Sequence, residues 1–382
     1  MPGLLPEGWL SGSRIVFTKK GRFQAELRLV PHSSKVPHEL TGKTWKAREA
    51  LVEQFEAKEV CPPLEEDPLG HMPPRQQSGS SDLSLEEDLA RLVFDHSFHR
   101  ALVPTGVPSK FQILPEVRVV FFDVYGTLFL GMRTEPFPAI GWEADSALAR
   151  VIQAAGLRLV GSWEGLSGLL AELIARCQQM LRQTGVDYPE VDIPAIWGTF
   201  LQELQREGKL APVQVSLSLL RRLALHWEVV RNPVWPAPGL PECLRELHQR
   251  GYQLGIISNA QFYCRILFET LLGQPLEKLG FSSKLVFFSY EQGWAKPGSR
   301  LFELAVASLA DMGFAPAQAL HVGNDVLQDI MPAQRAGFRT ALLAQDRYNL
   351  MLGKDDGVSP RPQPDLILST LSQLLQCLPG CK

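Results

Sequence analysis

The sequence predicts an α/β protein, a doubly wound parallel sheet interrupted by an inserted block of helices. Three observations carry this expectation. Six short runs rich in apolar β-formers recur between Val117 and Leu368, separated by stretches of helical periodicity. Most of them are apolar on both faces, as suits parallel strands covered by helices on two sides. Residues 125–251, between the first run and the second, lack strand character, which is met most economically by a helical domain inserted after the first strand.

The expected strands are Val117–Val124, Tyr252–Ser258, Lys284–Ser289, Ala319–Gly323, Thr340–Ala344 and Asp365–Leu368. Helical spacing inside the gap predicts helices at Ala144–Ala155, Trp163–Thr184, Pro194–Glu207 and Val215–Trp227. The body therefore comprises residues 117–133 and 236–376, with the helical insert at 134–235. Ahead of it, Ser84 and Glu87 form a capping box, and Leu85, Leu89, Leu92 and Val93 recur at helical spacing. Residues 84–116 are thus expected to supply a helix that packs on the body. Residues 61–83 hold Pro62, Pro63, Pro68, Pro73 and Pro74, then Gln76 to Ser81, and read as an exposed linker. Before the linker, Arg14–Phe17, a Lys19–Gly21 turn and the alternating Phe23–Val30 predict a hairpin, with a short helix at Trp45–Val60. Residues 1–60 form an appendage of unassigned role, available for contact with another protein.

Composition excludes several function classes. The chain has 382 residues, two or three domains at roughly 100–200 residues each. Its 38 basic and 41 acidic side chains leave a net charge of −3, so no general electrostatic pull toward nucleic acid or an anionic membrane is expected. No run reaches the roughly 18 apolar residues of a membrane span. The six cysteines are scattered without a C-x-x-C pair and are expected as reduced thiols of a soluble cytoplasmic protein. No Walker-type loop, dinucleotide fingerprint or zinc-protease motif occurs.

The chemistry concentrates at strand ends. Val119 to Leu128 reads VVFFDVYGTL: a buried strand delivers Asp123 at its C-terminal end, where ligands bind in open α/β sheets, with Gly126 and Thr127 in a tight turn behind it. Leu254 to Asn259 ends a second strand in Ser258 and Asn259, a hydroxyl and an amide suited to an anionic oxygen. Lys296 follows the third strand as a cation able to hold a nucleophile and an anion together. His321 to Asp329 ends a fourth strand with Asp325 and Asp329 four residues apart at a helix start. Singly, each has a structural explanation as a helix cap, a solvated lysine or a first-turn acid. Together and in this order they point to one site.

This ordered set resembles the haloacid dehalogenase superfamily, whose four motifs match Asp123 to Thr127, Ser258, Lys296, and the Asp325/Asp329 pair. The placement of the insert between the first two motifs is similar to that of the family's cap domain. The resemblance implies that Asp123 attacks an electrophilic centre and forms a covalent aspartyl intermediate that water cleaves. It implies that Thr127, Ser258 and Lys296 orient the nucleophile and balance charge, and that Gly126 and Asn259 contact the substrate. It further implies magnesium held by Asp123, the Tyr125 carbonyl and Asp325, with Asp329 either a ligand or a partner of Lys296. Asn324 stands where many relatives carry another acid.

Two departures divide the reading. Phosphatases of this family carry a second Asp two residues after the nucleophile as general acid and base; here it is Tyr125, whose phenol has a reference pKa near 10, far from the working pH. That form is similar to the dehalogenase branch, which needs no metal. The same branch carries Ser and Asn in its fourth motif and a Tyr where Phe302 stands here, whereas this chain keeps Asp325 and Asp329. Acids beside Asp123 call for a neutralising cation. A magnesium-dependent hydrolase of a small phosphorylated metabolite is the first expectation. A metal-independent 2-haloacid dehalogenase-like hydrolase is the second, and a catalytically weak binding module the third.

Arg133, on the expected hinge into the insert, is placed to meet a substrate anion. His321 is expected in the core or at its rim rather than as a ligand, and His96 and His99 at the surface. Trp197, Trp227, Trp235 and Phe137 are expected mostly as core of the insert.

Overall fold

The computed structural model describes residues 9–17, 23–31, 80–133, 138–353 and 362–381. The linker expected over 61–83 lies outside the described residues up to Gly79, as do the helix expected at Trp45–Val60, Phe137, and much of the 1–60 region expected to contact a partner. Strands β1 (Trp9–Phe17) and β2 (Phe23–Pro31) pair as a two-stranded sheet of their own.

Helix α1 spans Ser80–His96. Ser84 is therefore inside the helix and not its cap, a correction to the start expected from the capping box. Ser80, Ser81 and Asp82 just upstream are equally good cap-forming residue types, so several starts compete in the sequence. Leu89 and Val93 of α1 are buried in the main core, and Leu85 and Leu92 pack against it.

The body begins with β3 (Val119–Phe122) and β4 (Phe129–Gly131). Four helices follow: α2 (Trp142–Ala154), α3 (Leu166–Gln183), α4 (Ile193–Arg206) and α5 (Leu217–Arg231). The chain returns through β5 (Val234–Pro236) and α6 (Leu240–Gln249) to β6 (Gln253–Ser258). Helix α7 (Tyr263–Leu272), β7 (Phe281–Phe288), α8 (Arg300–Asp311), β8 (Ala319–Gly323), β9 (Arg339–Leu343) and β10 (Leu366–Leu368) complete it.

Six strands form one sheet in the order β10-β9-β8-β3-β6-β7, each neighbouring pair parallel. They are the six runs that the sequence predicts, shifted at some ends. Both faces are covered. Phe121 stacks on Phe338 on one face, with ring centroids 5.6 Å apart, while Phe122 meets Phe281 edge-on across the other at 6.5 Å. Each of these fully buried rings contributes roughly 1.5–3 kcal/mol. β3 is central, flanked by β6 on one side and β8 on the other, so the order reverses beside it and opens a crevice at the C-terminal edge.

The insert is an α-helical cap in which α2, α3, α4 and α5 each pack on the next and α5 closes back on α2. Ile196, Trp197, Phe200, Leu201 and Leu204 give α4 a buried apolar face. Its start is set by Asp192, whose Oδ1 accepts from Ala195 N at 3.2 Å, and by Pro194 in the first turn. Trp197 and Trp227 are buried, in line with a core role, whereas Trp235 lies on β5.

β4 and β5 pair antiparallel, with Leu130 opposite Trp235, and carry the chain into and out of the cap. The sequence does not reveal this ribbon, because three residues per strand show no periodicity. The cap docks through the segment before α4: Glu190 N donates to Gly293 O at 3.1 Å and Tyr188 O accepts from Ala295 N at 2.8 Å. Ser289 Oγ donates to Glu190 Oε2 at 2.6 Å. Among the described residues no helix is long and apolar enough to cross a membrane.

Candidate active site

Asp123 is the first residue beyond β3, and its N–H donates to Val322 O of β8 at 2.9 Å, which continues the sheet ladder by one step. The ladder therefore aims the residue at the C-terminal edge, in line with the ends of β6 and β8. Ser258 closes β6 and Gly323 closes β8, while Lys296 arrives on the loop after β7. The loop is no solvated excursion, since Lys296 is only 5% exposed.

Lys296 Nζ lies 2.7 Å from Asp123 Oδ1 and 2.5 Å from Asp329 Oδ1. One buried cation thus bridges two buried carboxylates, leaving a net negative charge. Burial pushes the Asp123 carboxyl up and the charge of Asp329 adds to it; Lys296 and Ser258 pull it back, to about 6. For Asp329 burial also acts upward, but Lys296 and His321 outweigh it and hold the group at about 2. Lys296, despite burial, is pushed up to about 12 by its two partners and stays charged.

Asp329 spends both oxygens on structure. Oδ1 takes Lys296 and lies 3.3 Å from His321 Nε2, and Oδ2 accepts from Asp325 N at 3.0 Å. Of the two roles expected for Asp329, the geometry supports the lysine partner rather than the metal ligand. Burial lowers the His321 pKa, so the fully buried ring stays neutral and can serve Asp329 with its Nε2–H. A Cβ on Gly323 would lie 2.3 Å from Asp329 Cγ, so only glycine leaves room for this arrangement.

Several polar residues of the motifs turn toward the protein instead of the crevice. Asn259 Oδ1 accepts from Lys296 N at 2.7 Å and its Nδ2 donates to Lys296 O at 3.0 Å and to Gln328 Oε1 at 3.2 Å. It fixes the lysine loop, so the amide expected to meet the substrate is engaged with Lys296 and Gln328. Thr127 Oγ1 donates to Asn324 Oδ1 at 2.9 Å, tying the turn after Asp123 to the end of β8. Gly126, at φ +83°, sits against the Asn324 amide, which a Cβ would meet at 2.3 Å, so its role is close approach. Arg133 donates to Arg231 O at 2.7 Å and Val230 O at 2.5 Å, and so closes the last carbonyls of α5. The residue expected to meet a substrate anion is thus placed against the end of α5.

Ser258 Oγ is buried without a well-formed hydrogen-bond partner among the described residues, and it is the least of the influences that lower the Asp123 pKa. Tyr125 Oη is likewise buried and unpartnered, and burial, followed by the nearby Cys264, Tyr263 and Glu228, holds its pKa well above the ordinary phenol value. It is a poorer proton donor here than in water. Phe302 packs edge-on against His321 at 5.2 Å and is buried in the core.

For a metal, the donors at hand are hard oxygens. Among the described residues no three His, Cys, Asp or Glu side chains converge closely enough to hold an ion by themselves. With Asp329 engaged by Lys296, the donors that remain of the expected set are the Asp123 and Asp325 carboxylates and the Tyr125 carbonyl. That suits magnesium, which binds through one or two carboxylates and keeps waters or substrate oxygens for the rest. Asp325 also accepts from Leu327 N at 2.7 Å and Gln328 N at 3.0 Å through Oδ1, so it caps the turn that follows. His96 and His99 do not converge on a metal: His96 meets His226 edge-on at 5.0 Å and His99 meets Trp235 at 6.2 Å.

His321, buried as the sequence suggests, and Asn324 support the site from behind, and so do two residues that motif reading overlooks, Asp346 and Asn349. Asn324 Nδ2 donates to Asn349 O at 2.6 Å, and Asn349 Nδ2 donates to Asp346 Oδ2, also at 2.6 Å. The last two lie beyond the fourth motif, where no motif marks them.

Residues 117–337 match the family model described as haloacid dehalogenase-like hydrolase. Curated relatives include glyceraldehyde 3-phosphate phosphatase of Methanothermobacter thermautotrophicus, 27% identical over 69% of this chain and 100% of the relative. Ribulose-1,5-bisphosphate 5-phosphatase of Halopiger xanaduensis is 25% identical over 52% of this chain and 88% of its own length. Phosphoserine phosphatase of Thermus thermophilus is 27% identical over 58% and 91%.

Proposed function

Since the chain belongs to the haloacid dehalogenase-like hydrolase family, we propose that it is a magnesium-dependent phosphatase-type enzyme acting on a small phosphorylated metabolite, with Asp123 as nucleophile. The observation that carries this reading is the Lys296 ammonium held between Asp123 and Asp329 at the C-terminal edge of the sheet. The relatives named above act on different phosphorylated molecules by name, which supports the reaction class and leaves the substrate to the cap.

The Asp123 carboxylate attacks phosphorus, and the bond from phosphorus to the leaving oxygen breaks. Water then attacks the aspartyl phosphate, the Asp123 oxygen departs, and inorganic phosphate is released as the carboxylate is restored. Lys296 orients Asp123 and offsets the charge gathered there, Asp329 and His321 hold Lys296 in place, and Ser258 offers its hydroxyl to the transferring group. Magnesium, held by Asp123, Asp325 and the Tyr125 carbonyl, would supply charge neutralisation at the phosphoryl oxygens. With Tyr125 a weak acid, the leaving group must depart without strong protonation, as an acyl phosphate or aryl phosphate can.

The test is release of phosphate from acetyl phosphate and p-nitrophenyl phosphate with and without magnesium. Magnesium-dependent release that Asp123→Asn abolishes is the expected result. Chloride release from 2-chloropropionate without metal, in the absence of phosphatase activity, would overturn it.

A further inference from the structure

We propose that Arg100 is a positioning residue for the reaction at Asp123, acting from outside the family-matched segment by fixing the cap ribbon and, through Asp346 and Asn349, the turn that carries Thr127. The proposal rests on the hydrolase reading above for its kinetic test and on geometry alone for its structural test.

Arg100 follows α1 and engages Asp346 fork to fork, Nη1 to Oδ1 at 2.9 Å and Nη2 to Oδ2 at 2.7 Å. The Asp346 side chain is fully buried and that of Arg100 13% exposed. The guanidinium also reaches Met132 O from Nε at 3.1 Å and Gly131 O from Nη2 at 3.3 Å. These two carbonyls are at the end of β4, where the chain leaves for the cap. Asn349 grips the same residue from the other side, accepting from Gly131 N at 2.8 Å and donating to Gly131 O at 3.1 Å.

The network does not stop at the ribbon. Asp346 holds the Asn349 side chain, the Asn349 carbonyl holds Asn324, and Asn324 holds the Thr127 hydroxyl, four residues beyond Asp123. The returning strand is held as well, because the His99 ring lies edge-on to Trp235 of β5. On the core side, Val103 N donates to Asp346 Oδ1 at 2.9 Å and Lys110 pairs with Ile367 of β10. On the cap side, α1 meets α5 through the Asp88–Arg222 pair at 3.8 Å and the His96–His226 contact. One segment thus touches cap, ribbon and core. A two-stranded ribbon of three residues a side is marginal by itself, so outside contacts decide how the cap is carried.

Arg100→Lys separates positioning from stability. Lysine keeps a charge against Asp346, but a single ammonium cannot take a carboxylate and two carbonyls in one plane. The measurements are phosphate release from acetyl phosphate with magnesium, thermal melting, and amide hydrogen exchange over residues 129–133 and 324–327. We expect near-wild-type melting, kcat lowered about 10-fold with KM changed less than about 3-fold, the pattern of a lost transition-state arrangement, and faster exchange at Gly131 and Met132. Arg100→Ala should lose more activity and recover part of it with added methylguanidinium but not methylammonium. Wild-type kcat and unchanged exchange in Arg100→Lys would overturn the proposal. So would an Arg100→Ala loss that methylguanidinium leaves untouched. If the wild-type enzyme releases no phosphate, the hydrolase reading fails separately, and unchanged exchange in Arg100→Lys alone then overturns the role of Arg100.

Discussion

The Lys296 ammonium and the Asp123 carboxylate lie 2.7 Å apart, with side-chain exposures of 2% and 9%. A buried pair of this kind is a weak source of net stability but a strong penalty when broken, because the remaining partner keeps its charge without compensation. Here the penalty doubles in kind, since Asp329 shares the same cation.

Replacing Lys296 by Met should therefore lower folding stability by about 3–5 kcal/mol and reduce kcat by about 10²–10³. Adding Asp329→Asn to that variant removes one stranded charge and should restore part of the stability without restoring activity. Urea unfolding and steady-state phosphate release check both halves. A Lys296→Met enzyme with wild-type kcat would remove the lysine from the mechanism.

Asp325 joins a capping role to a proposed metal role, and Asn separates them. Asparagine still accepts from the turn amides, so the melting temperature without metal should stay close to wild type, within about 1 kcal/mol of stability. The rise in melting temperature that magnesium produces should shrink sharply in Asp325→Asn, as should magnesium-dependent activity. An unchanged magnesium response would place the ion elsewhere.

Gly323→Ala tests the packing behind the lysine. Its Cβ would fall 2.3 Å from Asp329 Cγ and 2.4 Å from Asp329 Cβ, groups fixed in the buried cluster. The expected outcome is a loss of about 1–3 kcal/mol from overpacking, together with a kcat decrease as Asp329 is pushed off Lys296. Unaltered kinetics would show that Asp329 does not need this position.

His226 sets an acid limit on the cap. Burial first, then His96 and Arg222, lower its pKa to about 4 from an ordinary 6.5. The unfolded chain takes up the proton first on acidification, so the contribution of this residue is intact above pH 6.5 and is lost as pH falls from 6.5 to about 4. Melting temperature should fall across that window, and His226→Gln should flatten the slope. Identical slopes in the two proteins would mean that other groups carry the acid sensitivity.

Much of the fold is legible in the sequence because a strand buried on both faces leaves a run of consecutive apolar residues, as Val119–Phe122 and Leu285–Phe288 do. The insert is legible because α4 and its neighbours repeat apolar residues at helical spacing. The β4–β5 ribbon escapes this logic, since Leu130 and Trp235 meet across the whole cap and neither strand is long enough to show a period. Asp123, Lys296 and Asp329 can be read as a set from their order at strand ends. The partners of Asn259, Thr127 and Arg133 cannot, because a short amide, a hydroxyl and a long guanidinium each suit either a ligand or a backbone, and loop approach selects between them.

By itself the sequence determined the architecture, the site of the insertion and the edge of the sheet where the chemistry gathers, since these follow from periodicity and from which residues end strands. The tertiary structure alone decided what each polar group faces. It turned Asn259 onto the lysine loop, Arg133 onto the end of α5 and Asp329 onto Lys296, and it brought Arg100 to Asp346 across 246 positions of chain. Burial patterns are written in neighbouring residues, whereas hydrogen-bond partners are set by where distant loops converge.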